Sequence, residues 1–272
     1  MNKLICGAYA VLLTPFAGGK PDLSAYADQI ARLNRTGIKG YTVNGSTGEF
    51  VCMSLNEQMS LTDTAAERAA AGKGLVVSAC TACAADTLRL ARHAHSAGAK
   101  AVLVCPPYYF THTQEQIRDY FLTVAERSPV PVLLYNIPFF TQEIAVDTVL
   151  SLIGHENIAG IKDSSANMKR LMHFVYAAKG KNFSVLTGTD DILFPALAAG
   201  CDGSMTAFAS VFPDDVCAIY DFMDLKQEEK ARAVQERLLP LLRKADALPF
   251  PKGYKLAMQE ASGIAFGDKE DE

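Results

Sequence analysis

The residues best suited to covalent chemistry surround Lys162. An apolar run over residues 158–161 predicts a short buried strand, and Lys162 stands at its end, before a polar turn. Burial disfavours the charged form of lysine and lowers its pKa, and a neutral amine can attack a ketone to form a Schiff base. A lysine at a strand end more often simply extends its ammonium group to water. The residues at the other predicted strand ends nevertheless favour the Schiff base.

The stretch Gly45-Ser46-Thr47-Gly48 follows a predicted strand over residues 40–43. It places two hydroxyls and backbone N–H groups in a tight turn before a helix, and such a turn can hold a carboxylate or a phosphate. It lacks the lysine of a nucleotide-binding phosphate loop. Such a turn alone is more often a plain loop, but beside a Schiff-base lysine it predicts a clamp for the carboxylate of a 2-keto acid. Glu49 is expected to cap this turn.

Tyr135 ends the predicted strand over residues 130–135, which precedes the strand of Lys162 in the chain. A tyrosine hydroxyl within reach of the amine can carry protons to and from the reaction intermediates. The alternative is a barrel-wall aromatic whose hydroxyl bonds a neighbour. The histidines fall in predicted helices or loops away from the strand ends, so Tyr135 is the preferred proton carrier.

These residues belong to a chain that alternates apolar, β-rich runs with helical patterns. The predicted strands cover residues 4–13, 40–43, 75–79, 101–105, 130–135, 158–162, 183–186 and 203–206. The predicted helices cover residues 23–35, 54–70, 84–96, 113–127, 146–153, 168–178, 191–199 and 216–223. Eight such units predict an α/β fold, a (β/α)8 TIM barrel, whose active site forms at the carboxyl ends of the strands.

A doubly wound open sheet alternates strands and helices in the same way. Such a sheet normally carries a glycine-rich phosphate loop after its first strand, where this chain has Thr14-Pro15-Phe16. The barrel is therefore favoured. It is expected to span residues 1–224, followed by a C-terminal helical extension and an acidic tail over residues 225–272. Residues 267–272 are expected to fray.

Composition narrows the class of protein. The 272 residues are 49% hydrophobic and carry a formal net charge of -4, which suits a globular enzyme and gives no sign of a nucleic-acid or membrane partner. The seven cysteines are scattered and odd in number, as expected in a reducing cytoplasm. Cys80 and Cys83 have CxxC spacing, but no second ligand pair is spaced for a metal site. Without a recognisable signal peptide, the chain is predicted to be cytoplasmic.

The motifs together resemble the dihydrodipicolinate synthase / N-acetylneuraminate lyase superfamily of class I Schiff-base aldolases. The resemblance covers nearly the whole chain. The matching motifs are Thr14-Pro15-Phe16, Gly45-Ser46-Thr47-Gly48-Glu49, Pro107-Tyr108-Tyr109, Tyr135-Asn136-Ile137-Pro138 and Ile161-Lys162-Asp163.

The resemblance implies a role for each matched residue. Lys162 is the Schiff-base lysine and Tyr135 the proton relay. Ser46 and Thr47 hold the pyruvoyl carboxylate, and Ser46 also passes protons to Tyr135. Tyr109 resembles the tyrosine that in many members reaches across a dimer contact into the neighbour's site. Further substrate contacts are implied for Gly48, Asp190, Asp191, Met205 and Phe140.

The resemblance also implies the partners. The substrate is a small 2-keto acid, which is held as a covalent lysine imine, so no metal and no organic cofactor are needed. The protein is expected to be a homo-oligomer, either a dimer or a tetramer.

Two departures from the family pattern bear on the substrate. Phe139 and Phe140 stand where synthases of the lysine pathway carry an arginine that binds a substrate carboxylate, and Ala207 stands near a serine of the sialic-acid lyases. The prediction is therefore a lyase or aldolase acting on pyruvate or a 2-keto-3-deoxy sugar acid. The alternatives are dihydrodipicolinate synthase with a rearranged acceptor site, N-acetylneuraminate lyase, and a non-catalytic homologue that binds a keto acid.

Overall fold

A computed structural model describes residues 3–269. Its strands are β1 (Gly7–Val11), β2 (Phe16–Ala17), β3 (Lys20–Pro21), β4 (Gly40–Val43), β5 (Gly74–Ser78), β6 (Ala101–Val104), β7 (Val132–Asn136), β8 (Ile158–Asp163), β9 (Ser184–Thr187) and β10 (Gly203–Thr206). Its α-helices are α1 (Leu23–Leu33), α2 (Leu55–Arg68), α3 (Ala84–Ser96), α4 (Gln114–Arg127), α5 (Val146–Leu152), α6 (Met168–Ala177), α7 (Leu193–Ala198), α8 (Phe208–Val211), α9 (Pro213–Asp224), α10 (Glu228–Asp246) and α11 (Lys252–Ser262).

The strands form a closed barrel in the order β1-β10-β9-β8-β7-β6-β5-β4, and β2 and β3 form a separate hairpin. This order confirms the predicted TIM barrel with additional C-terminal helices. The strands β4 to β10 are buried along their whole length, as expected where helices follow parallel strands and cover the sheet. No helix among residues 3–269 is long and apolar enough to cross a membrane.

Within the described residues, the chain forms two compact units. The first unit comprises residues 3–7 and 76–204. Its parallel ladder runs from β5 through β9, with Ser78 level with Leu103, Val104 with Leu134, and Lys162 with Leu186. The helices α3 to α7 belong to this unit, and their apolar faces are buried.

The second unit comprises residues 8–75 and 205–269. Strand β1 pairs with β4, and Tyr9 is level with Gly40. Helix α1 begins after the N-cap Asp22, and α2 begins with a capping box formed by Ser54 and Glu57. The C-terminal helices add an apolar cluster around Leu13, Val211 and Met258, packed by Phe212, Tyr254, Ala257 and Phe266.

The end of the described chain is held in place, which corrects the prediction of a frayed tail for residues 267–269. Gly267 pairs with Phe16 of the hairpin. Lys269 Nζ lies 2.7 Å from Glu57 Oε1 at the start of α2. Residues 270–272 of the predicted tail lie outside the described residues. The division at residue 224 stays a prediction.

Candidate active site

Lys162 and Tyr135 are in contact at the carboxyl ends of β8 and β7, where they are direct partners in the parallel ladder. Lys162 Nζ donates to Tyr135 Oη at 3.4 Å and lies 4.4 Å from the centre of the ring. The two side chains are 3% and 2% exposed. The structure thus brings together the amine and the hydroxyl that the sequence predicts to act together.

An irregularity in the ladder sets this pairing. Val132 is level with Ile158, but the next residue, Leu133, is level with Gly160, so β8 carries one extra residue. Without that extra residue, Tyr135 would be level with Ile161, whose side chain points to the other face of the strand. Gly160 allows β9 to approach, because a Cβ there would lie 2.3 Å from the carbonyl oxygen of Ser184. The bulge therefore places the lysine beside the tyrosine.

The environment of Lys162 favours the neutral amine. Burial lowers the pKa of Lys162 from 10.5 to about 8, and the charges of Cys80 and Asp190 partly oppose this shift. At pH 7, a group with a pKa near 8 is neutral in about a tenth of the molecules, against less than about a thousandth for an ordinary lysine. This neutral fraction suits the nucleophilic role that the sequence predicts for Lys162, which stays a prediction.

A buried network of hydrogen bonds and ion pairs holds Asn136 and Asp163, the residues that directly follow Tyr135 and Lys162. Asn136 Nδ2 donates to Asp163 Oδ2 at 2.9 Å, and Arg170 Nε lies 3.5 Å from the same oxygen. Asp163 is fully buried, and Asn136 Oδ1 accepts the N–H of Ile144 at 3.0 Å. Because Asn136 follows Tyr135 and Asp163 follows Lys162, the network fixes both strand ends. Arg170 could not be predicted from the sequence, since an arginine in the first turn of a helix carries no distinctive signal.

The CxxC residues do not act as a pair. Cys83 is exposed and its thiol donates to Asp86 at 3.4 Å, whereas Cys80 is buried. Cys80 Sγ accepts the N–H of Cys105 at 3.2 Å and the hydroxyl of Ser78 at 3.3 Å. Burial raises the pKa of Cys80, but these hydrogen bonds outweigh burial and lower it. Among residues 3–269 no group of three His, Cys, Asp or Glu side chains could hold a metal ion.

Gly188 is a second residue that sequence reasoning missed. A Cβ at Gly188 would lie 2.7 Å from Lys162 Cε and 2.0 Å from Ser164 Oγ. The side chain of Lys162 therefore passes over position 188 at a distance that only glycine allows. A glycine directly after a strand is the available signal, because it often marks a close approach of another group.

We expect Gly188→Ala to slow imine formation by about 10²-fold, because the methyl group displaces the reacting amine. The measurement is the rate at which pyruvate and borohydride add mass to Lys162. Gly37→Ala is the control, since a Cβ there meets only the Cys217 side chain, at 3.3 Å. A Gly188→Ala protein that is labelled at the normal rate would show that the amine has room to move.

The Gly-Ser-Thr-Gly stretch lies in the second unit, as a single 3-10 turn over Ser46–Gly48. Thr14 Oγ1 donates to the carbonyl of Gly48 at 2.7 Å. A Cβ at Gly48 would lie 2.9 Å from the carbonyl oxygen of Leu12, so glycine is needed there. Thr47 is almost fully buried. Its backbone N–H is among the first of the 3-10 turn, and such N–H groups have no carbonyl acceptor within the turn itself. That this turn and Lys162 form one site stays a prediction.

Glu49 does not cap the turn, contrary to expectation. Its side chain makes no capping hydrogen bond. The carboxylate instead lies 2.5 Å from the ammonium of Lys255 in α11. The sequence offers no signal for this pair, because the partner lies far away in the chain.

The remaining predicted residues differ in exposure. Tyr109 is 92% exposed and its ring meets the ring of Phe110 edge-on. Phe140 is 55% exposed. Asp190 is partly buried and its charge acts on Lys162, whereas Asp191 is exposed. Met205 is fully buried in β10. Roles in substrate binding for these residues stay predictions.

Comparison with known proteins gives a consistent result. Residues 5–267 match the Dihydrodipicolinate synthetase family. The 4-hydroxy-tetrahydrodipicolinate synthase of Chlorobaculum parvum is 31% identical over 265 residues, which cover 94% of this chain and 88% of that protein. The solved structure of 2-keto 3-deoxygluconate aldolase from Picrophilus torridus matches with a TM-score of 0.90 at 27% identity, covering 96% of this chain and 95% of that one. A third match is YagE, a prophage protein from E. coli K12 of the dihydrodipicolinic acid synthase family, whose structure was solved in complex with pyruvate. It has a TM-score of 0.93 at 27% identity, and the match covers 99% of this chain and 93% of YagE.

Proposed function

The chain belongs to the dihydrodipicolinate synthetase family, and from this premise we propose that Lys162 forms an imine with pyruvate or a 2-keto-3-deoxy sugar acid. The membership confirms the resemblance seen in the sequence and the predicted class of enzyme, a lyase of the pyruvate-dependent class I aldolase type. The observation that carries the proposal is the buried Lys162 amine, with its pKa lowered to about 8, in contact with Tyr135.

The proposed reaction begins with attack of the neutral Lys162 amine on the keto carbon. Tyr135 donates a proton to the developing hydroxyl, and loss of water gives the iminium. In cleavage, the electrons of the C–C bond beyond the neighbouring carbon flow into the iminium, which becomes an enamine, while the hydroxyl on the departing carbon loses its proton and leaves as an aldehyde. In dehydration, the neighbouring carbon loses a proton to give the enamine, and the enamine then expels the hydroxyl beyond it, which leaves as water. After cleavage, protonation of the enamine carbon gives the imine again. Hydrolysis of this imine releases the keto acid and restores the lysine. In condensation, the enamine attacks an aldehyde instead.

We assign the carboxylate of the keto acid to the turn over Ser46–Gly48. Parallel strands of a barrel end at the same rim, so turns that follow β4 and side chains that end β8 are expected to face one site. Ser46 then binds the carboxylate with Thr47 and passes protons to Tyr135. The chemistry needs no cofactor beyond the lysine imine.

The choice of second substrate follows from charge. The exposed rings of Phe139 and Phe140 occupy the positions where an arginine is expected for a second carboxylate. A carboxylate against aromatic surface loses hydration without gaining a guanidinium partner. Asp190 and Asp191 can accept hydrogen bonds from hydroxyl groups but repel a carboxylate. A neutral hydroxy-aldehyde or deoxy-aldehyde therefore suits the site better than aspartate semialdehyde.

The strongest alternative is 4-hydroxy-tetrahydrodipicolinate synthesis, because the relative from Chlorobaculum parvum bears that name. N-acetylneuraminate lyase is less favoured, since Ala207 stands near the expected serine. A non-catalytic binder of keto acids is disfavoured because it has no need for the amine of Lys162. We further propose a cytoplasmic homo-oligomer, a dimer or a tetramer, in which the exposed Tyr109 reaches the neighbouring site.

The test combines trapping with a comparison of acceptors. Pyruvate with borohydride should add a pyruvate-derived mass to the peptide that carries Lys162, and Lys162→Arg should prevent labelling because a guanidinium stays protonated. No adduct, or an adduct on another lysine, would refute the imine. The values of kcat/KM for aspartate semialdehyde and for neutral aldehydes are then measured on one preparation. A tenfold or greater preference (about 1.4 kcal/mol) for aspartate semialdehyde would establish the alternative.

A further inference from the structure

Lys255 is a buried lysine that the proposed reaction does not use. It lies in α11 and is 2% exposed. Its ammonium lies 2.5 Å from Glu49 Oε1 and 3.2 Å from Asp268 Oδ1, donates to the carbonyl of Gly267 at 3.1 Å, and stands 4.9 Å from the ring centre of Phe16. A buried charge is tolerated only when it is paired and hydrogen-bonded in this way. The C-terminal helix thus places a cation against the residue that follows Gly48.

Glu49 occupies an unusual backbone conformation. Its φ of 59° and ψ of 36° are left-handed, which is uncommon for residues other than glycine, asparagine and aspartate. Its N–H donates to the carbonyl of Ser46 at 3.0 Å and closes the 3-10 turn. If Glu49 left this conformation, the hydrogen bond and the direction of Ser46–Gly48 would change. The ion pair with Lys255 offsets the strain at this residue.

The C-terminal segment also holds the other end of the connection between the turn and α2. Lys269 is paired with Glu57, which belongs to the capping box of α2. Gly267 pairs with Phe16. Burial raises the pKa of Glu49, and the hydrogen bond and charge of Lys255 partly oppose that shift. Both ends of the segment over residues 49–57 are therefore tied to cations that come from the C-terminal residues.

We propose that Lys255 is a positioning residue for the carboxylate-binding turn. Through Glu49 it holds the turn over Ser46–Gly48 in the shape that receives the carboxylate of the keto acid, without touching that substrate. The inference rests on the proposed function and deepens it. Because the turn binds the carboxylate both before and during the reaction, its loss of shape should raise KM and leave kcat at saturation almost unchanged.

The experiment separates the backbone conformation of Glu49 from the charge pair. The variants Glu49→Ala and Glu49→Gly are each combined with Lys255→Met, so no buried charge is left unpaired. Alanine disfavours the left-handed conformation, whereas glycine adopts it freely. We expect the alanine double variant to raise KM for pyruvate about tenfold. This is the effect of losing one charge-assisted hydrogen bond between the turn and the pyruvate carboxylate. The glycine double variant should stay within about threefold of the wild type.

Two controls complete the design. Lys244→Met removes an exposed ion pair with Glu260 between α10 and α11 and should leave KM unchanged. Amide hydrogen exchange of the peptide over residues 44–54, measured without ligand, should speed up in the alanine double variant and not in the glycine one.

The outcomes distinguish this inference from the proposed function. A wild-type protein that forms no adduct with pyruvate refutes the proposed function, and hydrogen exchange then still tests whether Lys255 holds the turn. Equal KM values and equal exchange for both double variants would overturn the positioning role. A fall in kcat without a change in KM would overturn it as well, since that pattern places Lys255 in the chemical step.

Discussion

Replacing Lys162 with methionine should abolish turnover and, at the same time, stabilise the fold. The lysine is 3% exposed, and burial lowers its pKa from 10.5 to about 8. Such a shift means that keeping the protonated lysine buried costs the native state about 3 kcal/mol at pH 7. Methionine has a similar length and no charge, so it removes that cost together with the nucleophile.

The pH dependence of this effect has a definite sign. Well below pH 8 the lysine is protonated in both the native and the unfolded states, so the whole cost is present. Between the pKa values of about 8 and 10.5 the unfolded state binds more protons, and the stability of the wild type rises with pH. The advantage of the methionine variant should therefore shrink through this window and vanish above it.

Urea unfolding of the two proteins at pH 7 and near pH 10.5 measures the difference. Lys244→Met is the matched control, because Lys244 is 71% exposed in its ion pair and its loss should change stability little at either pH. In the wild type, kcat/KM for pyruvate should rise about tenfold per pH unit and level off near pH 8, as the amine loses its proton. If the methionine variant is no more stable than the wild type at pH 7, burial of the protonated Lys162 amine does not destabilise the native state.

Much of the barrel could be predicted from the sequence, because each unit has its own local signals. Short apolar runs mark most of the strands, although the predicted strand over residues 4–13 is longer than the strand observed there, Gly7–Val11. Residues suited to caps, such as Asp22 and the Ser54–Glu57 box, stand at the helix starts. The shortest elements lack such signals. The hairpin of Phe16–Ala17 with Lys20–Pro21 has only two residues in each strand, and Phe208–Val211 is a helix of a single turn, so neither has enough residues to show a periodic pattern.

The fine geometry of the site depends on features without a local signal. The extra residue in β8 decides that Lys162, rather than Ile161, is level with Tyr135, and it arises from the pairing of two strands. The fit of Gly188 under the lysine depends on the path of one side chain. The pair of Lys255 with Glu49 joins distant parts of the chain. Such contacts are products of tertiary packing, which neither periodicity nor residue type specifies.

Replacing Tyr135 with phenylalanine should leave the fold intact and slow turnover by about 10²–10⁴-fold, the usual effect of losing a positioned proton donor. Tyr135 is 2% exposed, and its ring lies 4.4 Å from Lys162 Nζ. Phenylalanine keeps that ring in the same packing, so the variant removes the hydroxyl, which lies 3.4 Å from the amine, and little else. The measurement is kcat with the aldehyde and pyruvate pair that serves the wild type best, together with the rate of borohydride trapping.

Tyr120→Phe is the matched control for this substitution. Tyr120 also carries a hydroxyl in a hydrogen bond, to Thr87 at 2.9 Å, but it belongs to helix α4 and not to a barrel strand. Its loss should lower stability by about 1 kcal/mol and leave kcat unchanged. If Tyr135→Phe turns over at nearly the normal rate, another group transfers the proton, and Ser46 becomes the first candidate. If trapping of the imine stays fast while kcat falls, the hydroxyl of Tyr135 acts after the imine has formed, in the step that breaks or makes the bond to the second substrate.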